Sequence, residues 1–253
     1  MAAIVTLKGV TVTFPGAESP IFSGIDFSVN KGEFVIVVGT SGAGKSTLLR
    51  VVAGLLEPTA GEVHRAIEEN DRRRASAMVF QEAHLMPWRT VHDNVALGLE
   101  GLNLSEDESE RRIADALALV RLSEYGTRWP HELSGGQRQR IGLARALAVE
   151  PELLLMDEPF SALDAITRQA LQDELLSIWA ATGKSILFVT HDIDEAIYLG
   201  DRVYLLGGSP ARIVDSFAND ASRPRQRGTA DATALATRIK DNLSGIHDHG
   251  GGI

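Results

Sequence analysis

The sequence predicts an α/β fold: a mainly parallel β-sheet covered by helices on both faces, with a helical segment inserted into it. Three observations carry this expectation. The run Phe34-Val35-Ile36-Val37-Val38 is continuously apolar and rich in β-branched residues, as a strand buried on both faces is. Strand-like runs return at Leu153 to Met156, Ile186 to Val189 and Val203 to Leu206, with helical patterns between them at Ala162 to Ala181 and Ile193 to Leu199. The stretch from about Val91 to Val149 is mostly helical.

In chain order, Val10 to Phe14 alternates with threonine and predicts a strand, as does Phe27 to Val29. The strand at Phe34 to Val38 runs into a glycine-rich loop. Ser46 to Ala53 predicts a helix stopped near Gly54 and Pro58. Ala77 to Phe80 is a short strand. Ser105-Glu106-Asp107-Glu108 has capping-box spacing, and Ile113, Leu117 and Val120 follow on one face. Another helix starts near Gly135 and carries Ile141, Ala144 and Ala148. After about Asp215 the composition changes: Arg223-Pro224-Arg225-Gln226-Arg227-Gly228 is poor in core residues. Ala230 to Ile239 predicts a short helix, and His247 to Ile253 a loose end. His247-Asp248-His249 is read as part of that end rather than as a metal site.

The 253 residues can bury a sizeable core, and 44% hydrophobic with 23% charged content is ordinary for a globular chain. A formal net charge of −9 disfavours a general nucleic-acid partner. There is no cysteine, which excludes disulfides and thiolate chemistry. Met1 to Lys8 lacks the basic region and apolar core of a secretory signal. No apolar run approaches the ~20 residues of a membrane-spanning helix. The expectation is a chain soluble by itself and able to dock on a membrane protein.

Gly39-Thr40-Ser41-Gly42-Ala43-Gly44-Lys45-Ser46-Thr47 fits the P-loop pattern in its proper context of strand, loop and helix. Glycines let backbone N–H groups approach phosphate oxygens, and the helix dipole adds positive potential. Lys45 is expected on the β- and γ-phosphates and Ser46 on Mg²⁺. A glycine-rich turn without a ligand is the bland alternative.

Asp157 and Glu158 end the apolar strand that starts at Leu153, on the side where α/β sheets bind ligands. Asp157 is placed to hold Mg²⁺, and Glu158 to accept a proton from an attacking water. Taken alone, the two are equally well read as solvated carboxylates. Leu133-Ser134-Gly135-Gly136-Gln137 has capping-box spacing, so part of its role is local. Two glycines at a helix start nevertheless cost stability and leave N–H groups open to an anion. One P-loop suffices for one triphosphate, so the second anion-binding terminus is expected to serve the nucleotide of another chain.

These residues resemble the ATP-binding cassette family, the nucleotide-binding subunits of ABC transporters, over roughly Ile4 to Asp215. The resemblance implies a RecA-like P-loop NTPase core with an α-helical subdomain and a small antiparallel β subdomain. Residues 1–215 would form the nucleotide-binding domain, with the helical subdomain at about 91–149, and 216–253 a partly disordered tail. It implies ATP and Mg²⁺ as cofactors and hydrolysis of ATP to ADP and phosphate.

It also implies roles for further positions. Gln81 matches the Q-loop glutamine, which senses Mg²⁺ and the attacking water and links to the permease. Asp164, in Ser161-Ala162-Leu163-Asp164, matches a loop that crosses the dimer interface; by itself it is more often a helix cap. His191 matches the switch histidine that contacts γ-phosphate and orients Glu158. Phe14 lies where an aromatic ring stacks on adenine, with a core phenylalanine as competitor.

A narrower likeness, over Phe80 to Val95 and at Arg223-Pro224-Arg225, is to importers of the nitrate, sulfonate and taurine group. Around His64 to Arg74 the likeness is poorer, and Arg72-Arg73-Arg74 is read as a solvated loop. The group implies a homodimer of these subunits on the cytoplasmic face of the cell membrane. It implies permease subunits and, indirectly, an extracytoplasmic solute-binding protein. Met86 and Trp88 are candidates for the permease contact, with packing inside the helical subdomain as the alternative. A soluble or exporter-type ABC ATPase is the main rival. A kinase or GTPase using the P-loop alone is disfavoured by the Ser134 segment.

Overall fold

The structure, a computed structural model, describes residues 2–67 and 70–248. The strands are β1 (Ala3–Val12), β2 (Phe22–Asn30), β3 (Phe34–Gly39), β4 (Ala60–Arg65), β5 (Ser76–Val79), β6 (Leu153–Asp157), β7 (Ser185–Thr190), β8 (Arg202–Gly208) and β9 (Ala211–Ala218). The helices are α1 (Lys45–Val52), α2 (Val91–Ala96), α3 (Glu106–Leu119), α4 (Gly135–Ala148), α5 (Ala165–Thr182), α6 (Ile193–Leu199) and α7 (Ala230–Asp248). They gather in two compact units, Met1–Ala66 with Ser185–Ile253 and Ile67–Lys184.

In the first unit β3 is buried at every residue, which is why its sequence is apolar without alternation. It pairs in parallel with β7 on one side and β8 on the other. Phe34 and Phe188 are fully buried and face each other at 6.2 Å between ring centroids. Full burial of such a side chain stabilises by roughly 1.5–3 kcal/mol. An antiparallel ladder of β1 with β2 and β4 forms the small β subdomain, and β8 turns back antiparallel into β9.

The second unit holds the parallel pair β5–β6 and the helices α2 to α5. Gly98 permits close packing there: a Cβ on it would stand 2.7 Å from the Arg145 carbonyl oxygen. At α3 only half of the expected box forms. Ser105 accepts the Glu108 N–H, while the Glu108 carboxylate turns to Arg111 and Arg112.

Several boundaries differ from the sequence expectation. β1 stops at Val12, so Phe14 lies beyond it. α5 starts at Ala165 rather than Ala162, because Asp164 caps it by accepting the Thr167 N–H. β4 and β9 were not expected; β4 is largely exposed and polar, and β9 is half exposed with only Ala211 and Phe217 buried. α7 continues past Ile239 to Asp248. His249 and the rest of the chain end lie outside the described residues, as do the side chains of His247 and Asp248. The Arg72-Arg73-Arg74 run is tied down rather than merely solvated: Arg73 pairs with Glu152 at 2.7 Å and the Arg72 carbonyl accepts from Arg112. Among the described residues no helix is long and apolar enough to cross a membrane.

Candidate functional site

In the first unit the chain leaves β3 at Gly39 and enters α1 at Lys45 through a loop that only glycine makes easily. Gly42 and Gly44 have φ of 84° and 87°. A Cβ on Gly44 would stand 2.5 Å from Ile21 Cγ2, and one on Gly39 would stand 2.6 Å from the Leu206 carbonyl oxygen. Thr40, Ser41 and Gly42 are exposed, Ala43 and Ser46 are half-buried, and Thr47 is buried under the loop. The Lys45 ammonium, itself buried, donates to the carbonyls of Gly39 and Thr40 at 2.9 and 3.0 Å. α1 has no side-chain cap, and the partial positive charge of its start favours a ligand anion. The cradle fits a polyphosphate.

The register Val38–Thr190 brings His191 out beside the start of that loop, at the carboxyl end of adjacent parallel strands. His191 is exposed. Its backbone is held from both sides. Thr190 Oγ1 donates to Glu195 at 2.6 Å and accepts the Asp192 N–H at 3.0 Å, and Asp192 caps α6 through the Glu195 N–H. Sequence reasoning singled out His191 but missed this support. A Thr two residues before an Asp that caps a helix is the local signal for it. Phe14 is 38% exposed, so its ring is not core packing.

In the second unit the register Val79–Met156 sends Gln81 and the pair Asp157-Glu158 out at the same carboxyl end of β5–β6. Gln81 is exposed, and Asp157 and Glu158 are half-buried. Glu158 has φ of 44°, a left-handed conformation that costs a non-glycine residue energy. Its carbonyl is held by the Ser161 hydroxyl at 2.9 Å and the Ser161 N–H at 3.2 Å.

Ser134 caps α4 in a closed box: its hydroxyl oxygen accepts the Gln137 N–H, and Gln137 Oε1 accepts the Ser134 N–H. The Ser134 hydroxyl keeps its proton for another acceptor, and the N–H groups of Gly135 and Gly136 precede the first intrahelical bonds. Gly136 has a second reason to lack a side chain. A Cβ there would stand 2.7 Å from Thr167 Cγ2 on α5, whereas Gly135 meets nothing nearer than 3.8 Å. Asp164 is the exposed N-cap of α5, and the hydrogen bond it accepts from the Thr167 N–H lowers its carboxyl pKa. Arg168 holds the preceding loop by its Phe160 and Leu163 carbonyls. Trp88 is 70% exposed and is not packed inside this unit, whereas Met86 is half-buried.

Among the described residues no group of three or more His, Cys, Asp or Glu is set to hold a metal ion.

A family model described as ABC transporter matches residues 22–161. The taurine import ATP-binding protein TauB of Pseudomonas putida is 40% identical over 98% of this chain and 94% of its own. The aliphatic sulfonates import ATP-binding protein SsuB 1 of Mesorhizobium japonicum is 44% identical over 94% of this chain and 88% of its own. The ATP-binding cassette MJ0796, solved as a dimer in a post-hydrolysis state with ADP and Pi, superposes with a TM-score of 0.73 at 32% identity, covering 86% of this chain and 100% of that one. The cbiO1 subunit of Clostridium perfringens shares the fold, with a TM-score of 0.79 at 23% identity over 99% of this chain and 98% of its own.

Proposed function

The chain belongs to the ABC transporter family as an ATP-binding subunit and ATPase, and from that premise we propose that it powers uptake of a small sulfonate such as taurine. The likeness to TauB and SsuB 1 over nearly the full length supports the substrate class. A separate membrane permease at the cytoplasmic face would carry the solute, with Trp88 and Met86 on the docking surface. A solute-binding protein would deliver it.

The mechanism is supported by two glycine-bearing helix starts, α1 after Gly44 and α4 after Ser134, on separate units of one chain, each of which we read as receiving an anion. One triphosphate occupies the first. The second, through the Ser134 hydroxyl and the Gly135 and Gly136 N–H groups, serves the nucleotide of a second copy in a head-to-tail homodimer. Gln137 closes the cap, and Asp164 lies on the dimer-facing loop.

Residue roles follow from chemistry. The loop N–H groups from Gly39 to Thr47 and the Lys45 ammonium hold phosphate oxygens, and Phe14 stacks on the adenine. Ser46, Asp157 and Gln81 would hold Mg²⁺, which would neutralise phosphate charge. Glu158 accepts the proton of the attacking water, and His191 contacts the γ-phosphate and orients Glu158. Enclosure between two copies excludes bulk solvent and aligns water with phosphorus, so catalysis is mostly positioning and electrostatics.

The test is ATP-driven dimerisation of Glu158→Gln, followed by sedimentation with and without Mg²⁺. The proposal expects a stable dimer with ATP and Mg²⁺ and monomers with ADP. Monomers under every condition would refute it.

A further inference from the structure

Helix α4 turns one face onto the segment that follows β5. Gln139, 6% exposed, donates through Nε2 to the Phe80 carbonyl at 2.8 Å. Arg145 forks: Nη2 donates to the Ala83 carbonyl at 2.6 Å and Nη1 to the His84 carbonyl at 3.1 Å. Between them Gly142 admits the loop, since a Cβ there would stand 3.3 Å from Ala83 Cβ. Positions 139, 142 and 145 fall on one helical stripe. Beyond them Asn94, fully buried, donates to the Met86, Arg89 and Thr90 carbonyls and accepts the Met86 N–H.

Side chains from α4 and α2 thus bind the backbone of residues 80–90 from behind. The side chains of Gln81, Glu82, His84 and Trp88 remain exposed. The Phe80 carbonyl belongs to the same peptide as the Gln81 N–H, so Gln139 fixes the peptide plane from which Gln81 projects. Arg145 is costly to bury, its pKa being lowered by desolvation, and it is satisfied by carbonyls rather than by a carboxylate. The arrangement gives the loop a fixed backbone, and the charge serves that purpose rather than an ion pair.

We infer that Gln139 and Arg145 are positioning residues that lock the Gln81 segment to the helix beginning at Ser134, so that the nucleotide-sensing glutamine, the docking surface at Trp88 and the Ser134 terminus move as one body. This rests on the roles of Gln81 and Ser134 proposed above. Gln139 acts only through Gln81, so its effect must vanish where Gln81 is already lost.

The experiment is a double-mutant cycle on the full chain: wild type, Gln81→Ala, Gln139→Leu and the double variant, each assayed for kcat and KM with MgATP. Gln139→Leu is expected to lower kcat about tenfold with KM changed less than about twofold, and to cost less than about twofold further in the Gln81→Ala background. Arg145→Lys, which keeps the charge but cannot fork across two carbonyls, is expected to lower kcat in the same direction with its melting transition retained.

Where Gln81→Ala is too slow to assay, the same cycle is read as ATP-driven dimer affinity in the Glu158→Gln background. An equal proportional loss in both backgrounds, or no loss from Gln139→Leu, overturns the inference while leaving the ATPase reading intact. A wild type whose rate per protomer ignores protein concentration overturns the shared-site reading instead.

Discussion

Thr190 and Glu195 share a buried 2.6 Å hydrogen bond, and the same threonine oxygen accepts the Asp192 N–H, so the residue between them, His191, sits on a backbone fixed at both neighbours. Thr190→Val keeps the shape and removes both bonds. It leaves the Glu195 carboxylate and the Asp192 N–H without this partner. The expected cost is about 1–3 kcal/mol of stability in urea denaturation. A drop in kcat larger than the change in ATP affinity is expected with it, because His191 loses its orientation.

Gly136 lies under Thr167, and Gly136→Ala sets a methyl gain against a clash. Alanine favours the helix by up to about 1 kcal/mol over glycine. The 2.7 Å approach to the stiff, β-branched Thr167 costs more, about 1–3 kcal/mol. The variant is expected to melt lower, and Thr167→Ser, which deletes the offending methyl, is expected to restore it. Unchanged melting in Gly136→Ala alone would show that the contact yields freely.

Glu158 combines strain with chemistry. Glu158→Gln is expected to retain ATP binding, lose nearly all turnover and accumulate as the ATP-bound dimer, seen by sedimentation. Glu158→Gly relieves the 44° φ and is expected to be as stable as the wild type or up to about 1 kcal/mol more stable, and equally inactive. Ordinary turnover in either variant removes Glu158 as base.

Much of this was legible from the chain. The all-apolar β3 announced itself because burial on both faces forbids alternation. The loop after it was legible because Gly42, Gly44 and Lys45 have narrow structural meaning at that spacing. The edge strand β4 was not, since an exposed and polar strand carries little hydrophobic signal, and neither was β9, whose apolar residues do not alternate cleanly with polar ones. Nor was the hold of Arg145 on Ala83, which joins residues 62 apart in sequence. Local pattern predicts local partners, and the approach of Gly136 to Thr167 on α5 is a long-range contact that no local spacing carries.

Glu174 offers a pH test. Its carboxylate is buried, with Arg140 at 2.9 Å, and desolvation raises its pKa against the attraction of Arg140 and Arg121. A carboxyl whose folded pKa lies above its unfolded one contributes stability below the unfolded value and loses it as pH rises through the folded value. The stability of wild type relative to Glu174→Gln is therefore expected to be greatest in acid and to fall as pH rises. Urea denaturation at a series of pH values checks the sign, and a relative stability that grows with pH contradicts it.

The central claim is that a second copy of the chain completes each nucleotide site. It is tested most directly by ATPase rate per protomer at saturating MgATP, followed by dilution until sedimentation shows single chains. The account predicts a rate that collapses on dilution, and a Ser134→Arg variant that binds ATP yet stays slow at every concentration. Single chains that hydrolyse ATP at the full rate, or a Ser134→Arg variant with undiminished hydrolysis, would contradict it.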